Sequence, residues 1–532
     1  MKKIDKKYFK LSVMLAILLV PFALKSTSFY EVKASSKLKL ADVTNSNNII
    51  PKPLSYKAGS GEFILTNKAS IYVKGKDDNE TAEVRKVGEF LREKLRTATG
   101  YDLNVVVGDN VVPGSIYLTT VGAQADKGNE GYSIQTTERN IKITANKPEG
   151  LSRGIQTLRQ LFPADIEKST LVPSAKWSVP AATIDDKPEY SHRGLMLDVA
   201  RHFFTVDEVK RQIDLAAQYK INKLHLHLSD DQGWRLEIKK WPDLTAIGGS
   251  TQVGGGPGGF YTQEQFKDLV QFAADRYVEI IPEFDMPGHS NAALASYGFL
   301  NPDGKKKALY TGTKVGFSSF MTHDEKTYGF IDDVIREVSQ ISPSAYIHIG
   351  GDEAQSTKKA DYDYFVGRVS NIVKKYGKTP IGWDPIDTAS TIDSAVVLQN
   401  WKDSNAAAVQ KKMKIVVSVA KKAYLDMKYN EATPYGLNWA GYIPIETGYR
   451  WDVTDFAPKQ LALGIESPLW TETISTVKAM DYMIYPRLLG YAEIGWTPKT
   501  SRNWEEYKVR LKNQAQRMRN ENINFYSDPG IF

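Results

Sequence analysis

Two adjacent carboxylates, Asp352 and Glu353, give the sequence its strongest chemical signal. One ionised carboxylate raises the cost of ionising its neighbour, so one member of such a pair can hold a proton near neutral pH and act as a general acid. The pair closes the stretch YIHIGGDEA, residues 346–354. Its first four residues are a short apolar run with two β-branched members, the pattern of a strand buried on both faces. Gly350 and Gly351 end the run and let a neighbour approach the backbone closely. The acids therefore fall at the carboxyl end of an expected parallel strand, where α/β folds place their chemistry. Out of context the same pair would be a solvated loop.

Further candidates recur at matching places. From about residue 191 strands alternate with helices. Strands are expected at 193–200, 223–229, 278–284, 346–349, 379–383, 395–401, 415–419 and 461–465, and Thr205 and Thr262 are placed to cap the helices that follow the first two. Eight strands, each with a helical segment, predict an α/β fold of the (β/α)8 barrel type, with an open doubly wound sheet as the alternative. Asp198 and Arg201 follow the first strand, Asp230 and Asp231 the second, and Glu283, Asp285 and His289 the third. After Asp352 and Glu353 come Trp383 and Asp384, then Trp401, then Tyr424 and Asp426, then Trp470 and Glu472. Acids with aromatic walls suit a neutral polyhydroxylated ligand. Carboxylates accept from its hydroxyls, and indole faces cover the C–H side of a sugar ring.

Each residue also has a plainer reading. Arg193 could serve a buried ion pair, His225 and His227 read as satisfied core histidines, and a tryptophan after a strand is often core. His289 follows Pro287-Gly288, a turn that exposes a side chain. No HExxH or open ligand triad is present, so no metal or other cofactor is expected. The glycine-rich stretch 254–259 lacks the Lys-Ser/Thr of a phosphate loop, and no GxSxG elbow appears. GGDE also begins the GGDEF signature of diguanylate cyclases, but Ala354 stands where that signature has Phe, and the chain reads as exported.

The chain has 532 residues, a net charge of +7 and no cysteine, which excludes disulfides, thiolate metal sites and a cysteine nucleophile. Five of the first ten residues are lysines, an apolar run covers 11–24, and Val32-Lys33-Ala34 offers a cleavage site. These predict a signal peptide over 1–34 and a secreted protein of bacterial type, with no membrane span after cleavage. No basic stripe points to nucleic acid. A polar linker is expected at 35–48 and a smaller α+β domain at 49–188, with strands near 63–65, 69–73, 103–107, 116–119, 132–135 and 141–144 and helices at 81–97 and 149–162. The barrel takes 189–532.

The motifs RGLMLDVARHFF (193–204), HLHLSDDQGWRLEI (225–238), PEFDMPGH (282–289), HIGGDEA (348–354) and LWTET (469–473) resemble glycoside hydrolase family 20, the β-N-acetylhexosaminidases. The resemblance runs from about 191 to 496 and extends to an amino-terminal α+β domain. It implies an exo-acting retaining hydrolase that removes terminal β-linked GlcNAc, or GalNAc, from an oligosaccharide or glycan. In that mechanism the substrate's own 2-acetamido oxygen is the nucleophile, outside the usual two-carboxylate scheme. Residue by residue it implies that Glu353 is the acid and base, that Asp352 orients the acetamido group, and that Tyr424 donates to its oxygen. It implies Trp383, Trp401 and Trp470 as walls, and Arg193, Asp426, Trp439 and Glu472 as holders of the sugar hydroxyls. Asp230 and His289 would tune Glu353. A lacto-N-biosidase with the same catalytic pair and a non-catalytic carbohydrate-binding barrel are the competing readings.

Overall fold

A computed structural model describes residues 48–532; the expected signal peptide, and the expected linker except for Asn48, lie outside the described residues. Two sheets organise the described residues. The first has seven strands: β1 (Ser55–Ile64), β2 (Ser70–Lys74), β3 (Asn104–Val107), β4 (Ile116–Thr119), β5 (Tyr132–Thr136), β6 (Ile141–Ala145) and β7 (Ser178–Asp186). They lie in the order β1-β7-β5-β6-β4-β2-β3. Helices Asp78–Thr99 and Pro148–Leu161 cover one face, burying Val84, Leu91, Leu95, Leu151, Ile155 and Leu158 against Ile71, Ile116, Ile143 and Ile134. β5 and β6 form the expected antiparallel hairpin. β7 and the first half of β1 carry no clean alternation and were not expected; they pair with each other across an irregularity between Ala58 and Glu62.

The second sheet closes on itself. Strands β8 (His192–Asp198), β9 (Lys223–His227), β10 (Glu279–Glu283), β11 (Tyr346–His348), β12 (Thr379–Trp383), β13 (Val397–Asn400), β14 (Ile415–Val417) and β15 (Ala462–Leu469) form an all-parallel barrel. Thr205 and Thr262 cap the helices after β8 and β9 with full capping boxes, completed by Glu208 and Gln265. The last strand runs four residues further than its pattern suggests, to Leu469, and carries Glu466 with it.

Alternation decides what faces the barrel axis. Inward-facing Ile281, Ile381, Val397 and Val416 form an apolar plug at the amino end of the strands. Above it the interior is polar: His225, His227, Glu283, His348, Gln399 and Glu466 are all buried there. Gly194 makes room for Glu466, since a Cβ at 194 would lie 2.4 Å from its carboxylate.

The same alternation corrects the assignment of Arg193. It sits next to the start of β8 and faces outward, with no exposed surface. Its guanidinium pairs with Glu130 of the smaller domain and donates to the backbone carbonyls of Lys220 and Tyr190. Arg153 reaches the same carboxylate at 2.9 Å. Arg193 therefore joins the two domains at the end of the barrel opposite the strands' carboxyl ends. Burial works against the Glu130 charge, but Arg193 and Arg153 outweigh it and bring its pKa down to about 2. Arg193→Met should cost about 3 kcal/mol of stability, the lower end for a broken buried pair because Arg153 remains. A thermal melt should show this with KM unchanged. Because Glu130 is held below its unfolded value, the pair's contribution is complete above about pH 4.5 and is lost as pH falls toward 2. The variant should accordingly lose part of the wild type's acid sensitivity.

Candidate active site

The carboxyl ends of the strands surround a cavity of about 260 Å³ lined by Arg201, Thr313, Val315, Asp352, Glu353, Trp401, Tyr424, Asp426, Leu437, Trp439, Trp470 and Glu472. Its two central acids stand on an unusual backbone. After β11, Gly350 and Gly351 take φ of 65° and 100°, and Glu353 itself takes 43°. A side chain at 350 is excluded, since a Cβ there would lie 1.8 Å from Asp285 Oδ1. His289, also left-handed at φ 50°, faces Glu353 from the loop after β10. Left-handed backbone at two non-glycine residues that face each other in one cleft is a mark of a functional site.

His289 links the acids. Its Nε2 lies 3.4 Å from Glu353 Oε2 and 3.8 Å from Asp352 Oδ2, and its Nδ1 lies 3.2 Å from Asp230 Oδ1. Burial works against charge on this ring, but the Asp230 carboxylate outweighs it and holds the imidazole protonated well above the ordinary histidine value. Burial would likewise raise Asp230. Arg201, at 2.7 Å, and His289 outweigh it and keep the carboxyl well below its usual range.

Asp352 has a second acidic neighbour. Asp285 accepts the Gly351 N–H at 3.0 Å and brings a carboxylate oxygen within 4.8 Å of Asp352. Burial raises both acids, and the charge of Asp352 raises Asp285 further, to well above the usual range. The proton of this pair rests on Asp285, which leaves Asp352 as the acceptor.

The walls follow the expected pattern with two changes. Trp401 is locked by Asp384, which accepts its backbone N–H at 2.9 Å on the carboxylate and its indole N–H at 2.8 Å on the carbonyl. Trp439 meets Trp401 edge-on at 6.0 Å and stands half exposed at the rim. Trp470 also lines the cavity, with the Arg201 guanidinium 4.9 Å from its ring. Trp383, expected as a wall, is wholly buried beneath Trp470 at 5.6 Å, and its indole donates to Glu283 Oε1 at 2.7 Å. The arginine that reaches the cavity is Arg201, not Arg193. Its signal in the sequence was its place beside Asp198 just past the strand end. Thr313 and Val315 enter from the loop between helices Asn291–Ser296 and Glu325–Ile341. Nothing in their residue types marked them.

The cavity's acids lack partners. Both Asp426 carboxylate oxygens, Glu472 Oε2 and Asp352 Oδ1 have no hydrogen-bond partner among the described residues, although all three side chains are largely buried. Burial, and then the charge of Glu472, pushes Asp426 well above the carboxylate range. Buried polar atoms are almost always satisfied, so a cluster of orphaned acceptors in one cavity calls for a ligand rich in O–H and N–H donors.

Comparison with known proteins gives the same direction. The family model described as "Glycosyl hydrolase family 20, catalytic domain" matches residues 190–499, and that described as "Glycosyl hydrolase family 20, domain 2" matches 46–187. A "Beta-N-acetylhexosaminidase" of Cellulomonas fimi is 35% identical over 493 residues, covering 91% of this chain and 96% of its own. The structure of the GH20 beta-N-acetylhexosaminidase from Streptomyces coelicolor A3(2) superposes with a TM-score of 0.86 at 46% identity, over 91% of this chain and 98% of its own. A Streptomyces plicatus beta-hexosaminidase variant in complex with product (GlcNAc) gives the same TM-score and identity over 91% and 97%. With family models matching both the barrel and the amino-terminal domain, the chain belongs to glycosyl hydrolase family 20.

Proposed function

We infer that the protein is an exo-acting, retaining β-N-acetylhexosaminidase that removes terminal β-linked GlcNAc by substrate-assisted catalysis. The observation that carries this is the set of unpartnered buried acceptors around one small cavity, with Asp352 and Glu353 adjacent at its centre. A volume of about 260 Å³ lies below the roughly 300–1,000 Å³ of pockets that take drug-sized ligands, which suits a single ring. That favours release of a monosaccharide over release of a disaccharide.

The adjacency of the two acids and the family resemblance support the following roles. Asp352 and Glu353 are neighbours on one turn, so they do not flank a bond as nucleophile and acid. Asp352, an anion with a free oxygen, accepts from the acetamido N–H and turns that group's carbonyl oxygen toward C1. The oxygen attacks C1 as the glycosidic bond breaks, and Glu353 passes its proton to the leaving oxygen. Asp352 balances the positive charge of the resulting oxazolinium ring. Water then attacks C1, gives a proton to Glu353, and the ring opens with the β configuration retained. Tyr424 supplies a hydroxyl for the acetamido oxygen, Trp401 and Trp470 enclose the ring, and Arg201, Asp426 and Glu472 bind its hydroxyls. The basic start and apolar run at 11–24 support action outside the cell.

Chromogenic glycosides test the reading. Release from β-GlcNAc is expected, with release from the β-glucoside, which lacks the internal nucleophile, lower by at least about 10³-fold, as for loss of a well-oriented reacting group. Release only from the lacto-N-biose glycoside would transfer the assignment to a biosidase. No release from a folded protein would leave a binding barrel.

A further inference from the structure

The polar interior of the barrel continues the catalytic network downward. His227, on β9, lies between two carboxylates: its Nδ1 is 2.5 Å from Glu283 Oε2 and its Nε2 is 2.9 Å from Asp230 Oδ2. Ionised carboxylates only accept, so a ring with one at each nitrogen donates from both and is an imidazolium. Glu283 in turn takes the Trp383 indole N–H on its other oxygen, and His225 Nε2 lies 2.9 Å from Oε2. His225 Nδ1 is 2.8 Å from Glu466 Oε1, and Glu466 also meets His192 at 2.8 Å and the Gln399 amide at 2.6 Å. Charge alternates along the line from Glu466 through His225, Glu283, His227 and Asp230 to His289, which faces Glu353 at 3.4 Å.

Stability does not explain this line. Barrel interiors are ordinarily filled by Val, Ile and Leu, and buried ion pairs are often no better than apolar residues of the same volume. The local geometry supplies a reason. Asp230 Oδ2 receives Arg201 at 2.7 Å and His227 at 2.9 Å. Its other oxygen, Oδ1, is thereby left to His289, steadied by the Asp231 N–H at 2.6 Å.

We propose that His227 and Glu283 are positioning residues for the acid/base Glu353, acting through Asp230 and His289. The pair fixes the Asp230 carboxylate so that His289 remains a cation aimed at Glu353 while that acid loses and regains its proton. This rests on the assignment of Glu353 as acid and base. The groups facing His227 agree with it. Glu283 and Asp230 bond its two nitrogens, Asp198 adds negative charge from β8, and Trp470 presents an aromatic ring edge-on at 4.9 Å. Burial opposes charge on the ring, but Glu283 and Asp230 outweigh it and hold His227 protonated well above the ordinary value.

The test uses the full chain with the β-GlcNAc aryl glycoside. His227→Gln should lower kcat by about 10–100-fold, the usual effect of losing an outer partner of a reacting group, with KM within about twofold. Both limbs of its kcat–pH profile should move to higher pH, because removing a buried positive charge raises the proton affinity of the acids it faces. The double variant His227→Gln/His289→Gln should be no slower than His289→Gln alone. A folded His227→Gln enzyme with unchanged kcat and profile, or losses that add to those of His289→Gln, would overturn the proposal. If the variant does not fold, imidazole nitrogen NMR of the wild-type protein decides: a doubly protonated His227 at pH 7 is required, and a neutral ring rejects the relay. Failure of the Glu353 assignment is seen separately, as an active Glu353→Gln enzyme.

Discussion

Glu353→Gln lowers kcat by roughly 10²–10⁴-fold on a GlcNAc glycoside with a poor leaving group, the span that a positioned general acid contributes. The variant should fold, because Gln fits the same space and keeps an oxygen for the 3.4 Å approach of His289. KM should change little, since the cavity's hydroxyl-binding acids and aromatic walls are untouched. The loss should shrink steadily as the leaving group becomes more acidic, because a leaving oxygen that departs as an anion needs no proton. Measuring kcat/KM for a series of aryl glycosides checks this. A loss independent of leaving-group acidity would mean that Glu353 acts on binding or on the water step alone, and would remove it from the acid role.

How much of this was legible in the sequence depended on whether a residue's role was set by its neighbours along the chain or across the fold. The barrel was legible because strand and helix periods differ and each capping threonine is local. The acid pair was legible because YIHIGGDEA compresses a strand, a glycine turn and the chemistry into nine residues. Arg193 and Arg201 were confused because both belong to one motif, whose strand puts Arg193 at its amino end and Arg201 three residues past its carboxyl end. Position 193 faces Glu130, which lies 63 residues away and across the domain boundary. Trp383 ends its strand as expected, yet the buried Glu283 holds its indole below the cavity floor, and no local pattern reports that bond. His225 and His227 were read as core histidines and both are buried, but the identity of the carboxylates around them, which gives them their interest, is set across the fold. The first half of β1 and all of β7 escaped notice because edge and irregular pairing blur alternation.

Asp352→Asn lowers kcat by about 10²–10³-fold, the cost of removing one preorganised electrostatic contact to a developing charge. The amide is nearly isosteric but neutral, so it no longer balances the oxazolinium and can turn an N–H toward the substrate's own N–H. The discrimination between β-GlcNAc and β-glucoside should therefore fall along with the rate, which separates this residue from Glu353, whose loss affects the leaving group. Asp285→Asn should do far less, within about tenfold, although Asp285 is equally buried and belongs to the same pair. The asymmetry follows from where the shared proton rests. Asp285 already carries it, so an amide there reproduces both the acceptor for Gly351 N–H and the donor toward Asp352. Asp285→Ala, which removes both, should approach the Asp352→Asn loss. The pH profile adds a signed check. Burial raises Asp352 above the ordinary aspartate value, so the acidic limb that reports its protonation lies above that value and activity is lost as pH falls through it. In Asp285→Ala the donor that lowers Asp352 is gone, and the limb should move to still higher pH. A large loss from Asp285→Asn, equal to that from Asp352→Asn, would place the proton on Asp352 instead and would reverse the roles of the two acids.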